Sequence, residues 1–233
     1  MADVWVKVCG VRDVATIEGL ATLGVDAVGI NLYPGSKRAV DEQTAEELCR
    51  RAAGCLEPIG VIVRVGVSEA VRLAAAAPWA SLQCHGGESI EWLEAFQAQS
   101  SVSLVWAWPW LVDNEAAQDD WVARWRRVCQ RGGRVSAVLV DTMAGGQFGG
   151  SGRPLPWEAL RDRWQQFQEE LAAEGLSAPR LILAGGLNPH NVRRAVRTVR
   201  PWGVDVAGGV EQQPGVKDLA RVAAFVQEAK SAL

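Results

Sequence analysis

Histidine is scarce in this chain of 233 residues: only His85 and His190 occur, so a histidine-rich metal site is not expected. The five cysteines (Cys9, Cys49, Cys55, Cys84 and Cys129) are odd in number and contain no Cys-x-x-Cys pair. That points away from a disulfide framework or zinc knuckle and toward a reduced, cytoplasmic setting. No apolar run reaches the roughly 18 residues of a membrane helix. The start, Met1-Ala2-Asp3-Val4-Trp5, has an early acid and no cationic region ahead of an apolar stretch, so no signal peptide is expected. Basic runs never exceed a pair, and 24 basic and 27 acidic residues intersperse to a net charge of −3. Neither a nucleic acid nor a membrane surface is therefore an expected partner.

What the chain does have is apolar residues, 48% of the total, which can form a sizeable core and speak against disorder. Short apolar, β-branched runs recur at Val4–Val8, Ala27–Leu32, Pro58–Val63, Ser81–Cys84, Val102–Trp108, Ala137–Val140, Arg180–Leu183 and Gly203–Val206. Each is followed by a turn and a helical pattern, and their apolar character predicts burial on both faces, as in a parallel sheet. Val192, Ala195, Val196 and Val199 keep helical spacing, as do Leu219, Val222, Ala223 and Val226. Asp13 is expected to cap the first helix, and Asn188-Pro189 to start another with Asn as cap and Pro at the first helical position. A long polar-faced helix is expected over Arg161–Glu174, with the turn out of it at Gly175–Pro179. Eight strand–helix units without a composition break predict an α/β fold, a single (β/α)₈ barrel domain over residues 1–233. An open doubly wound sheet is the weaker alternative.

In such barrels the working residues lie at strand ends and in the loops that follow. Cys9-Gly10 ends the first strand, and Asp141 ends the sixth, heading a glycine-rich loop to Gly152 that could close over a ligand. Gly185-Gly186 ends the seventh strand and Gly208-Gly209 follows the eighth. Paired glycines after the last two strands suit a phosphate, whose oxygens meet backbone N–H groups where a Cβ would obstruct them. The plainer reading is that they only make tight turns. Cys9, on its own, reads as a small buried hydrophobe, whereas for Asp141 capping the next element is the weaker alternative.

Taken in order, the motifs resemble the phosphoribosylanthranilate isomerase family over nearly the whole chain. They are Lys7-Val8-Cys9-Gly10, Tyr33-Pro34-Gly35-Ser36-Lys37-Arg38, Gln83-Cys84-His85-Gly86-Gly87-Glu88 and Val140-Asp141-Thr142. They continue through Gly149-Gly150-Ser151-Gly152, Gly185-Gly186-Leu187-Asn188-Pro189 and Val204-Asp205-Val206 on to Glu211. The resemblance implies a tryptophan-biosynthetic Amadori rearrangement of N-(5-phosphoribosyl)anthranilate, a small phosphorylated sugar, with no cofactor or metal. It implies Asp141 as the general acid that opens the ribose ring and Cys9 as the general base that removes the C2′ proton. It also implies Arg38 on the substrate's carboxylate, with Gln83, His85 and Asp205 near the substrate. The chain would be a monomer or a homodimer.

A free carboxyl titrates near 3.9 and a thiol near 8.5, so both would need help from their surroundings; raising Asp141 by about 3 is worth about 4 kcal/mol. Burial and a nearby carboxylate, Asp205, would serve Asp141. For the thiol the candidate is Lys7, two residues earlier and therefore on the same strand face.

The chain departs from the family in three places. Val63-Arg64-Val65 stands where asparagine or aspartate is usual, Trp106-Ala107-Trp108 where a basic residue is usual, and Ala207-Gly208 replaces a serine pair. It also carries 11 tryptophans, an odd choice for an enzyme needed when tryptophan is scarce. Trp106 either lines the pocket as a stacking surface or points outward as core. These departures keep two alternatives open: a paralogue acting on another aminated sugar phosphate, and a non-catalytic phosphosugar-binding barrel. A related isomerase with aspartate in place of Cys9, and a metal-dependent epimerase, fit poorly.

Overall fold

The computed structural model describes residues 3–110, 121–142 and 156–233. Strands and helices alternate: β1 (Trp5–Cys9), α1 (Val14–Ala21), β2 (Ala27–Asn31), α2 (Glu42–Ala52), β3 (Glu57–Ile62) and α3 (Val67–Ala76). Next come β4 (Ser81–Cys84), α4 (Ile90–Gln97), β5 (Ser103–Trp110), α5 (Trp121–Gln130), β6 (Val135–Thr142) and α6 (Trp157–Ala173). The chain ends with β7 (Arg180–Leu183), α7 (Val192–Val199), β8 (Gly203–Val206), a short antiparallel hairpin of β9 (Glu211–Gln213) and β10 (Val216–Lys217), and α8 (Leu219–Lys230). The eight main strands form a closed, all-parallel barrel in sequence order, sealed where β1 pairs with β8 at Trp5↔Gly203 and Lys7↔Asp205. The expected barrel is therefore present, and β4, β7 and β8 have the bounds read from the sequence.

Alternation along each strand sorts the core into two clusters. Inside the barrel, Trp5, Ala27, Ile59, Val105, Ala107, Ala137, Leu139, Ile182 and Ala184 pack together. Outside, residues such as Val6, Val8, Leu82, Val138 and Val204 pack against the apolar stripes of the helices. Trp106 and Trp108 belong to this outer layer and are both 1% exposed. Trp108 meets Trp121 of α5 (ring centroids 5.1 Å apart) and Phe167 of α6 (5.9 Å). The pocket-lining reading of Trp106 is thus overturned: Val105 and Ala107 take the inward positions of β5, and alternation turns both indoles toward the helices.

Helix starts follow local chemistry. The Asp13 carboxylate accepts from the Thr16 backbone N–H at 2.8 Å and caps α1 as expected. The expectation at Asn188-Pro189 fails. There the Asn188 side chain accepts from the His190 N–H (2.9 Å), making a turn of its own, and α7 begins only at Val192. The long sixth helix starts earlier than expected, at Trp157, because Trp157, Leu160 and Trp164 extend its buried stripe. Arg64, at one of the departures, sits at φ 52°, a left-handed conformation in which asparagine and aspartate are the most comfortable non-glycine residues.

Trp106 serves as the test of the two-layer core. Its indole N–H is buried with no hydrogen-bond partner among the described residues, which offsets part of its packing contribution. Trp106→Leu is expected to cost about 2 kcal/mol, or about 4–8 °C in Tm for a domain of this size. Ligand affinity at the barrel mouth should not move; a changed affinity at unchanged Tm would return Trp106 to the pocket.

Candidate active site

At the carboxyl ends of the strands, side chains from β1, β4, β6 and β8 converge inward. Lys7 is 0% exposed, and its Nζ lies 3.0 Å from Asp205 Oδ1 across the β1–β8 seam. Cys9, two residues on, points the same way. Both depend on Gly29 of β2: a Cβ there would stand 2.7 Å from Cys9 Sγ and 3.0 Å from Lys7 Nζ. Only glycine leaves room for a thiol and an ammonium side by side.

The expected downward push on the thiol is present, but it does not win. Burial drives the Cys9 thiol above its ordinary range; Lys7, with Lys217, pulls it down, and Asp205 pushes it up again. Lys7 itself, despite the burial that opposes its charge, is held above its ordinary value chiefly by Asp205, and further by Cys9 where the thiol is ionised. The resting site thus pairs a protonated thiol with a charged ammonium near neutrality.

Asp141, the last residue but one of β6, stands opposite this pair and is largely buried, its Oδ2 3.9 Å from His85 Nε2. Asp205, expected near Asp141, is bound to Lys7, and its charge reaches His85, which lies beside Asp141. Burial holds His85 down at about 4, so it brings no positive charge to Asp141 near neutral pH. Gln83, one layer below on β4, is 2% exposed, and its Oε1 has no hydrogen-bond partner among the described residues.

Arg38, in the loop after β2, is held by Glu211: Nε donates to Oε1 at 2.7 Å and Nη2 to Oε2 at 2.8 Å. This uses one side of the guanidinium and leaves its end-on fork, the Nη1 and Nη2 pair, for another carboxylate.

The glycine pairs meet in space. Gly185 and Gly186 have φ of 86° and 64°, which other residues reach only with strain. A Cβ on Gly209 would stand 1.9 Å from the Leu187 carbonyl oxygen, so the loops after β7 and β8 touch. Backbone geometry alone accounts for these three glycines. The loop from Met143 to Gly152 lies outside the described residues. Among the described residues no three His, Cys, Asp or Glu side chains gather in a way that would hold a metal ion.

Against this geometry, a family model described as N-(5′-phosphoribosyl)anthranilate (PRA) isomerase matches residues 6–228. The chain belongs to that family. Membership makes it an isomerase of the tryptophan-biosynthetic step. The isomerase of Pseudomonas aeruginosa is 35% identical over 231 residues, covering 99% of this chain and 97% of the relative. That of Ralstonia pickettii is 30% identical over 239 residues, with 97% and 93% covered. The crystal structure of the Thermotoga maritima isomerase aligns at a TM-score of 0.76 and 29% identity, covering 97% of this chain and 98% of that one. A phosphoribosylanthranilate isomerase solved with reduced 1-(o-carboxyphenylamino)-1-deoxyribulose 5-phosphate aligns at 0.74 and 29% identity, with the same coverage.

Within this isomerase, sequence reasoning missed Glu211 and Lys217 as parts of the site. Their hairpin had a readable signal, the Pro214-Gly215 turn between β9 and β10. Their partners, more than 170 residues away in the chain, had none.

His85 yields a pH test. Its folded value of about 4 lies below the ordinary 6.5, so between these the unfolded chain binds a proton that the folded chain resists. Stability is therefore lost as pH falls from 6.5 toward 4, by up to about 3 kcal/mol. Denaturant titrations at pH 7 and pH 4.5 should show His85→Gln losing less than the parent; equal losses would exclude this assignment.

Proposed function

We propose that the chain interconverts N-(5′-phosphoribosyl)anthranilate and 1-(o-carboxyphenylamino)-1-deoxyribulose 5-phosphate, with Asp141 as general acid and Cys9 as general base. The convergence of a thiol and a carboxyl on one barrel mouth, above the buried polar groups Lys7, Gln83 and Asp205 and beside His85, carries this reading. Asp141 gives its proton to the ribose ring oxygen as the C1′–O bond breaks, and the anilinic nitrogen supplies the electrons for a protonated Schiff base. Cys9, in the fraction of molecules whose thiol has lost its proton to solvent, then takes the C2′ proton as a thiolate, and the electron pair left behind neutralises the iminium as an enolamine. Tautomerisation moves a proton to C1′ and leaves the ketone at C2′.

The positioning roles follow from what each group can offer. The end-on fork of Arg38 receives the anthranilate carboxylate in a bidentate pair. The touching loops at Gly185, Gly186, Gly208 and Gly209 offer backbone N–H groups to one phosphate, without the two hydroxyls of the family's serine pair. Gln83, His85 and Asp205 face the sugar, Asp205 holding Lys7 with one oxygen. The setting we infer is a reducing cytoplasm, where five unpaired thiols persist. The chain works there alone or as a homodimer; a Thermotoga maritima relative is described as dimeric.

Complementation decides between turnover and binding alone. A tryptophan auxotroph lacking this isomerase should grow when it expresses the chain; failure with folded protein present would favour the paralogue or the binding-only barrel. In purified protein, Cys9→Ser and Asp141→Asn should each lose at least about 10²-fold in kcat while still binding a product analogue. Parent-like turnover in either would remove that residue from the mechanism.

Phosphate is tested separately. A crystal soaked in inorganic phosphate should show the anion between the loops after β7 and β8. Occupancy only elsewhere would defeat the assignment of the glycines.

A further inference from the structure

A second buried ammonium stands beside the proposed base, and the mechanism above does not use it. Lys217, on β10, has a side chain 1% exposed. Its Nζ donates to the Cys9 carbonyl oxygen at 2.6 Å, to the Ala207 carbonyl oxygen at 3.2 Å and to Glu211 Oε1 at 2.8 Å. All three hydrogens of the ammonium are therefore engaged. Glu211, its side chain 4% exposed, takes Lys217, both Arg38 bonds and the Gly215 N–H (3.2 Å). One cation thus ties the end of β1, the loop after β8 and, through one carboxylate, the arginine after β2.

We propose that Lys217 and Glu211 are positioning residues for the isomerisation. Lys217 fixes the backbone of the base and supplies positive charge to its thiolate, while Glu211 aims the fork of Arg38 at the substrate's carboxylate. The inference rests on the assignment of Cys9 and Arg38 made above.

The two lysines flanking Cys9 differ in freedom. Lys7 is bound to Asp205, so part of its charge is cancelled close to the thiol. Lys217 spends two of its three bonds on neutral carbonyls, one of them belonging to Cys9, and its carboxylate is shared with Arg38. The charged groups facing the thiol are thus Lys7 from its own strand, Asp205 from β8, Lys217 and Glu211 from the hairpin, and Arg38 from the β2 loop. Three cations stand against these two carboxylates, with Asp141 and His85 across the mouth. A carboxylate with four donors has no capacity left for proton transfer, so Glu211 acts on substrate only through Arg38.

The test uses two variants and a readout independent of turnover. In Lys217→Met, the pH at which Cys9 reacts half-maximally with iodoacetamide, followed by peptide mass spectrometry, should rise by about one pH unit. The acidic limb of kcat should rise with it, giving about tenfold less turnover below that limb. In Glu211→Gln, KM should rise about tenfold or more while kcat stays within about threefold, as expected when uniform binding is lost. A Lys217→Met protein with the parent's alkylation profile overturns the charge role, and a Glu211→Gln protein with the parent's KM overturns the aiming role. If Lys217→Met fails to fold, Lys217→Arg decides: it should keep the parent's alkylation midpoint, and an upward shift overturns the charge role. A parent protein whose turnover does not depend on Cys9 would defeat the mechanism itself, a result distinguishable from both.

Discussion

Where β1 meets β8 the barrel closes over a buried ion pair, and the arrangement of the mouth is built around it. Lys7 and Asp205 face each other in register at the seam, 3.0 Å apart and almost out of reach of water. Burying two charges costs several kcal/mol each, and their attraction returns this only with good geometry. A pair of apolar residues would close the seam at no such cost. Removing one partner alone strands a charge and costs about 3–5 kcal/mol. The pair is thus weak evidence for stability and better evidence for chemistry, because it sets an ammonium beside the one thiol at the mouth. Gly29 is the concession the neighbouring strand makes, giving up a side chain so that both groups fit.

The rest of the core separates the demands of stability from those of the site. The inward layer below the polar groups is built of small and mid-sized residues, Ala27, Ala107, Ala137 and Ala184 among them, with Trp5 filling its width. The large apolar area lies outside, where Trp108, Trp121, Trp164 and Phe167 join β5 to α5 and α6 in tilted and edge-on contacts. Such pairs add about 0.5–1.5 kcal/mol each beyond the area they bury. The tryptophan enrichment is thereby largely a property of the outer layer, and Trp106-Ala107-Trp108 leaves the pocket wall to an alanine.

Elements whose signal is local were legible in the sequence. Short apolar, β-branched runs located the strands, and Asp13 announced its cap. Cys9 and Asp141 could be placed at strand ends because a parallel barrel sets all such ends on one face. Three things were not legible. Asn188 had two local options, a helix cap and a turn, whose energies differ by less than a propensity argument resolves. The outward facing of Trp106 was undecidable by alternation alone until the register of β5 was known. Finally, the partners of Lys7, Arg38 and Lys217 lie across the barrel seam, and no rule of spacing connects residues 173 to 208 positions apart.

The charges around Cys9 explain why one cation would not suffice. Burial alone moves the thiol up, and the raised value of the resting protein shows that desolvation outweighs the two lysines. Moving both lysines closer would ionise the thiol more readily, but a thiolate clasped by ammonium groups is a poorer base. The geometry resolves this conflict by sharing each cation. Lys7 divides its charge with Asp205, and Lys217 divides its own with Glu211 and two carbonyl oxygens. Each would steady a thiolate, once formed, without fixing it in a single strong pair. The same Glu211 that tempers Lys217 holds Arg38, so the positions of the proposed base and of the group that would receive the substrate's carboxylate depend on one shared anion. Displacing that carboxylate would disturb both ends of the substrate's path at once. If Cys9 takes the C2′ proton as proposed, the rearrangement requires that kind of coupling between the carboxylate's anchor and the base.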